Sequence, residues 1–296
     1  MAVTSFLGYL RYEKKYAVHT VNAYERDLRF FLDFIGKEYD VSEAAEVSYG
    51  MIRSWIVKMV DEGISNRSVN RKVAALNAYY KFLVKSGGLV VNPLAGHKAL
   101  KTPKKIEIPF SEEEMRAVLN EIVYPENFEG IRDRCIIELF YATGMRRSEL
   151  VNLKISDIDF SLRTVRIFGK RNKERLVPLM EHMEGLLRVY IREREAVVTE
   201  ASGDILILVK NGNKVYEALV YRVINRYLSK VSLKVKKSPH ILRHTFATHI
   251  LNKGADLNSV KELLGHSSLA STQVYTHNSI AQLKKVYGEA HPRNKK

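Results

Sequence analysis

Apolar side chains recur at three- and four-residue intervals along most of this chain, the spacing of amphipathic helices. Val21, Tyr24, Leu28, Phe31, Leu32 and Ile35 predict a first long helix, with Thr20 as its cap and Gly36 as its stop. A second helix is expected from about Ser48 to Val60, closing at Gly63. A third starts near Ser65 or Asn66, carries Val69, Val73, Leu76, Tyr79, Tyr80 and Leu83, and ends at Gly87-Gly88. Between those apolar positions lie Arg67, Asn70, Arg71 and Lys72, basic and amide side chains suited to phosphate and base-edge contact. A solvated helix face explains any one of them as well.

The pattern breaks at residues 92–108. Pro93 and Pro103, with Pro109 just beyond, resist regular structure, and Lys98, Lys101, Lys104 and Lys105 concentrate positive charge. This stretch reads as a basic linker between residues 1–91 and 109–296. Helical spacing resumes at Ser111-Glu112-Glu113-Glu114, a capping-box start. A long helix is expected from about Gly130 to Thr143, stopped by Gly144, with a further capped turn at Ser148-Glu149-Leu150. Val165 and Ile167 then alternate with Arg166 and Phe168, and Gly169 to Asn172 turns the chain into Arg175-Leu176-Val177-Pro178. That is a β-hairpin with Lys170 near its tip. Ile205 to Val209 suggests one more short strand. The remainder is helical.

Charge narrows the partner. Lys and Arg number 48 against 33 Asp and Glu, a net +15. An excess of this size favours a polyanion, because cationic side chains displace its counterions. No run of 18 apolar residues exists, so no membrane-spanning helix is expected. Cys135 is the single cysteine, which excludes an intrachain disulfide and a cysteine-based zinc cluster and suits a reducing cytoplasm.

Against that background the polar motifs of the second half gain weight. Arg146 follows Ala142-Thr143-Gly144-Met145, and Arg243 closes His240-Ile241-Leu242-Arg243. Two guanidinium forks can grip the oxygens of one phosphate and do not deprotonate. Ser238 can cap the helix that Pro239 opens, and the i, i+3 spacing puts His240 and Arg243 on one side of it. His240 and His244, at i, i+4, also have the spacing of a zinc pair, but no Glu follows His240 and no third ligand is evident, so no metal is expected. His266 follows Gly265 and precedes Tyr275 by nine positions. A neutral imidazole there can hydrogen-bond a phosphate oxygen or orient a nucleophile. Lys170 and Lys173, both on the hairpin turn, can each deliver a proton. Spacing alone does not single out Tyr275 among 16 tyrosines.

Taken together, Ala142 to Arg146 with Ser148-Glu149-Leu150, Pro239-His240 through Ala247-Thr248-His249, Leu263-Leu264-Gly265-His266-Ser267 and Gln273-Val274-Tyr275-Thr276-His277 resemble the tyrosine recombinases. The Gly-Lys and Asn-Lys-Glu-Arg-Leu-Val-Pro-Leu run is similar to the hairpin of the Xer group, and an archaeal branch of that group is one candidate. Arg147 is a departure, since smaller or apolar side chains are usual there. The resemblance implies a mainly α fold with a small antiparallel β-sheet, in which a helical, SAM-like core-binding domain precedes an α+β catalytic domain. It implies Arg146, Lys170, His240, Arg243 and His266 as catalytic residues and Tyr275 as nucleophile. Lys170 rather than Lys173 is then the acid. DNA contacts are expected from Arg67, Asn70, Arg71, Lys72, Lys101, Lys104, Lys105, Arg171 and Lys173.

By the same resemblance, Tyr275 attacks double-stranded DNA and forms a 3′-phosphotyrosyl link, with no cofactor. Four protomers on two sites pass through a Holliday junction, and the segment 281–296 docks onto a neighbouring protomer. Resolution of circular chromosome multimers at a dif-like site is the leading expectation, ahead of a mobile-element integrase. A relaxing enzyme with type IB topoisomerase-like chemistry, or a pure DNA-binding protein, is the alternative from another class.

Overall fold

The computed structural model describes residues 2–103, 107–169, 173–265 and 287–294. The chain divides into two compact units, Met1–Lys105 and Ile106–Lys296. No helix among the described residues is long and apolar enough to cross a membrane.

The first unit is helical. It runs through α1 (Ala2–Gly8), a wide helical turn at Tyr9–Glu13, α2 (Val18–Tyr39), α3 (Tyr49–Asp61) and α4 (Asn66–Lys85). Phe6, Leu28, Phe31, Ile35, Ile52, Trp55, Val69, Leu76 and Tyr80 form its core. Phe31 meets Trp55 edge to face at 4.9 Å between centroids, an arrangement that aromatic quadrupoles favour. Helix α2 begins at Val18, two residues before the expected cap Thr20, and does not stop at Gly36. It continues until Asp40 adopts a left-handed conformation (φ 54°), because Phe34 and Tyr39 still pack against each other past the glycine. Ser48 and Ser65 cap α3 and α4 as expected.

The expected linker is partly stapled to α4. The Asn70 amide donates to Leu100 O (2.9 Å) and accepts from Leu100 N (2.9 Å), while Asn66 Nδ2 donates to Lys101 O (2.8 Å). Leu94 is buried in the first unit. These asparagines satisfy backbone N–H and C=O groups that lie in no regular element.

In the second unit, α5 (Glu112–Arg116), α6 (Phe128–Thr143) and α7 (Arg147–Asn152) precede a three-stranded antiparallel sheet, order β1-β2-β3. Its strands are Ile158–Asp159, Thr164–Phe168 and Glu174–Pro178. Helices α8 (Glu181–Glu195), α9 (Glu217–Leu228), α10 (Pro239–Asn252) and α11 (Leu257–Leu264) follow. Ser111 and Glu114 form the expected capping box. Helix α6 is buried around nearly its whole circumference and ends at Gly144 (φ 57°). Residues 205–209 are buried but form only isolated bridges, not the expected strand. Side chains of α8 replace the missing ladder: Arg194 donates to Ile205 O and Leu206 O, and the Tyr190 hydroxyl bonds Leu206 O and Leu208 N.

Residues 287–294, the described part of the segment 281–296, pack on the chain's own α6. The Tyr287 hydroxyl donates to Ala142 O, and Arg293 pairs with Glu138. His291 Nε2 donates to Tyr141 O (3.1 Å) and its Nδ1 accepts from Arg293 N (3.2 Å). The Tyr141 hydroxyl meets His249 Nδ1 (2.8 Å), and His249 Nε2 donates to Phe110 O (2.8 Å). Each imidazole is thereby held in its neutral form with one nitrogen donating and the other accepting.

Burial depresses both imidazoles, His291 to about 3, and His249 below its ordinary value. The unfolded chain takes up these protons near the ordinary histidine value of about 6.5, whereas the folded chain does not. The stability that neutral His291 contributes is therefore intact above pH 6.5 and is lost as the pH falls toward 3. The melting temperature should drop between pH 7.5 and pH 5. His291→Gln should start lower at pH 7.5 and lose less on acidification; an unchanged slope in thermal unfolding would assign the acid sensitivity elsewhere.

Candidate active site

Gly144, Met145 and Arg146 turn the chain from α6 into α7. Arg146 takes an extended conformation (φ −80°, ψ 156°) and occupies the N-cap of α7. Glu149 is the capping group, where Ser148 was expected. Its Oε2 accepts from Arg146 N (2.8 Å) and its Oε1 from Arg146 Nη1 (2.7 Å). The guanidinium is thus planted at its base, and about a third of the side chain stays exposed.

Arg175 reaches the same carboxylate from β3. Its Nη2 donates to Glu149 Oε2 (2.8 Å) and its Nε to Leu263 O (2.7 Å), at the end of α11. Arg243 comes from α10. Its Nη1 donates to Gly144 O (2.6 Å) and its Nη2 to Leu264 O (2.6 Å). Backbone carbonyls fix the fork without cancelling its charge, and further N–H donors remain.

Glu149, Arg175 and Arg243 are all buried. Burial alone would raise the Glu149 carboxyl, but hydrogen bonds and charge from Arg175, then from Arg146, hold it below the usual carboxylate range. Burial, followed by repulsion from Arg146 and Arg175, pushes Arg243 down to about 10. Three guanidiniums face one carboxylate, so among the described residues two positive charges stay uncompensated by side chains. Buried charge of one sign is costly until an anion arrives, and a phosphoryl group accumulating negative charge is such an anion.

Two glycines bring further segments to this cluster. A Cβ placed on Gly169 would lie 3.5 Å from Glu149 Oε1 and 3.9 Å from Arg146 Nη1, so the end of β2 comes close to Arg146 and Glu149. One placed on Gly265, at φ 62°, would lie 3.2 Å from Arg175 Cδ. Lys170 and His266 are the residues that follow these glycines. Both lie outside the described residues, as do Arg171, Tyr275, Lys104 and Lys105.

His240 diverges from Arg243. Positions i and i+3 differ by roughly 60° around a helix, and here that angle separates solvent from interior. His240 is 77% exposed, and its Nε2 lies 3.6 Å from Glu107 Oε2. Glu107 also accepts from Lys236 (2.8 Å), and that bond holds it below the usual carboxylate range. Among the described residues no group of three His, Cys, Asp or Glu could hold a metal.

Of the expected DNA contacts, Arg67, Lys101 and Lys173 are exposed. The Asn70 amide is engaged by Leu100, which sets it apart from that role. Arg71 and Lys72 both pair with buried Asp27, although about half of Arg71 remains exposed. Arg175 and Glu149 were not among the expected site residues. A signal for Arg175 existed: the alternation that turns Val177 inward turns Arg175 inward too, and a charge at an inward strand position needs a partner.

The Phage integrase family profile matches residues 109–282, and that of the phage integrase N-terminal SAM-like domain matches residues 3–87. Tyrosine recombinase XerC of Oceanobacillus iheyensis is 38% identical over 296 residues, covering 98% of this chain and 96% of its own. Tyrosine recombinase XerC of Staphylococcus haemolyticus is 39% identical over 295 residues, covering 99% and 97%. These relatives are bacterial and lend no support to the archaeal branch entertained from the sequence. Among solved structures, the Tn1549 transposon integrase in complex with circular intermediate DNA superposes with a TM-score of 0.72 at 20% identity, over 95% of this chain and 98% of that one. The XerH recombinase bound to palindromic difH substrate, a post-cleavage complex, gives 0.70 at 24% identity, over 94% and 78%. Both likenesses concern the two-domain, mainly helical fold.

Proposed function

The chain belongs to the phage integrase family of tyrosine recombinases, and from that premise we propose that it is a Xer-type site-specific recombinase acting on double-stranded DNA. The observation that carries the reading is the convergence of Arg146 and Arg243, from two different helices, on one place with uncompensated positive charge. Arg146 and Arg243 bind the non-bridging oxygens of the scissile phosphate. Their grip tightens as charge builds on those oxygens in the transition state. Tyr275 attacks phosphorus and forms the 3′-phosphotyrosyl link. Lys170 protonates the departing 5′ oxygen, and His240 and His266 hydrogen-bond the phosphate or the nucleophile.

The bond energy is kept in the protein–DNA link, so rejoining needs no nucleotide cofactor. A 5′-hydroxyl of the partner duplex attacks the link, and two rounds through a Holliday junction exchange both strand pairs. Four protomers on two sites carry this out in the cytoplasm, and resolution of circular chromosome dimers is the role we assign. Arg67, Lys101 and Lys173, exposed and cationic, track phosphates, with Lys104, Lys105 and Arg171 as further candidates. Mapping covalent cleavage on random genomic fragments tests the site preference. Incubation with two-site plasmids tests the reaction: recombinant circles support it, whereas relaxation alone would make this a topoisomerase-like enzyme.

Arg146→Ala and Arg243→Ala should each lower the single-turnover cleavage rate by about 10²–10³-fold, the range for losing one transition-state donor. DNA affinity at moderate salt should fall far less. Equal losses in binding and rate would make these residues ordinary DNA contacts.

A further inference from the structure

Arg175 is a third guanidinium at the cluster, and the roles just assigned leave it without one. It is buried, sits opposite Ile167 in the β2–β3 ladder, and bonds both Glu149 and the backbone at the end of α11. A bland reading makes it a clamp between sheet and helix. The charges around Glu149 point further. Glu149 is also buried and lies against Arg146 through both oxygens. A buried carboxylate with Arg146 as its only cation would neutralise that guanidinium and weaken its pull on a second anion. Arg175 supplies the other positive charge. It bonds Oε2, and Arg146 Nη1 keeps Oε1.

We infer that Arg175 is a positioning residue for the recombinase reaction: by occupying the Glu149 carboxylate it leaves the charge of Arg146 and Arg243 available to the scissile phosphate. Its second bond, to Leu263 O, sets the end of α11 one residue before Leu264, whose carbonyl orients Arg243. One side chain thus registers the hairpin strand, the carboxylate and the Arg243 anchor on a common frame. The inference rests on the reading of Arg146 and Arg243 as the phosphate grip.

The test is a double-mutant cycle on the full chain with a nicked DNA substrate that traps the covalent product. Arg175→Met should lower the cleavage rate by about 10–10²-fold, with DNA affinity within a few-fold of wild type. Glu149→Gln in the same chain removes the carboxylate and keeps an amide oxygen for Arg146. It should restore cleavage at least about tenfold over Arg175→Met, a non-additivity expected of directly coupled groups. A clamp without an electrostatic role gives no such rescue. Arg175→Lys keeps the charge with a shorter reach and should cleave faster than Arg175→Met at comparable melting temperature. If Arg175→Met does not fold, the same comparison is made between Arg175→Gln, neutral but still able to donate to Leu263 O, and Arg175→Gln with Glu149→Gln. A double variant as slow as its Arg175 parent, or rate losses that simply follow melting temperature, would overturn the inference. Loss of the phosphate-grip reading itself is recognised separately, by Arg146→Ala and Arg243→Ala cleaving at wild-type rates.

Discussion

Tyr275→Phe should bind its DNA with wild-type affinity and form no covalent complex. The substitution removes one oxygen and keeps the ring, so packing and the cationic surface are unaltered. The chemistry cannot survive it if that oxygen is the nucleophile. A free phenol has a pKa of about 10 and attacks poorly at neutral pH, so its activation depends on a base or on nearby positive charge. The buried tyrosines are moved the other way: Tyr141 and Tyr190 are pushed well above their ordinary range by burial. Such buried, protonated hydroxyls are poor candidates for the nucleophile. The measurement is a denaturing gel of protein with labelled DNA. A covalent band persisting in Tyr275→Phe would hand the nucleophile to another residue.

Lys170→Ala should slow cleavage of ordinary DNA by about 10²–10⁴-fold, the span for removal of a general acid. The departing 5′ oxygen of deoxyribose needs a proton, and Lys170 is placed one residue beyond Gly169, whose backbone abuts Arg146. Sulfur in the 5′-bridging position leaves as a low-pKa thiolate and needs no acid. Lys170→Ala should therefore cleave the sulfur substrate near the wild-type rate. Lys173→Ala should cleave both almost normally, with a shallower dependence of binding on salt. Rescue of Lys173→Ala instead would move the acid along the turn. Failure of sulfur to rescue either variant would reduce both lysines to DNA positioning and make His240 the next acid to test.

What could be read from the sequence was what short-range chemistry decides. Ser111 with Glu114, Ser238 before Pro239, and Gly144 after Thr143 each settle a helix end through bonds within a few residues. Gly36 misled because the Phe34–Tyr39 contact carries α2 past a residue that only weakens a helix. Residues 205–209 had the composition of a strand, but their hydrogen bonds are shared between α8 side chains and scattered backbone partners such as Leu153 O and Asn213 O rather than one strand. The motifs singled out Arg146 and Arg243, and the fold brings the two side chains into one cluster. Arg175 escaped because its meaning depends on Glu149, 26 residues away, and on α11, 88 residues away. His240 and Arg243 share a helix, yet only the packing of α10 reveals that one faces Glu107 while the other is buried against two carbonyls.

The seating of 287–294 on α6 has a consequence for how assembly should be probed. Deleting the end of the chain is the obvious way to ask whether it joins protomers. Here that deletion also removes Tyr287, Ala290 and His291 from the interior and leaves the Tyr141 and Ala142 carbonyls without their side-chain donors. A truncated chain that no longer assembles would then report a damaged subunit as readily as a missing handshake. Glu289 is exposed on the same segment, beside buried Ala290. Charge reversal there alters the surface another copy would meet while the anchors beneath stay in place, and so separates the two effects that truncation confounds.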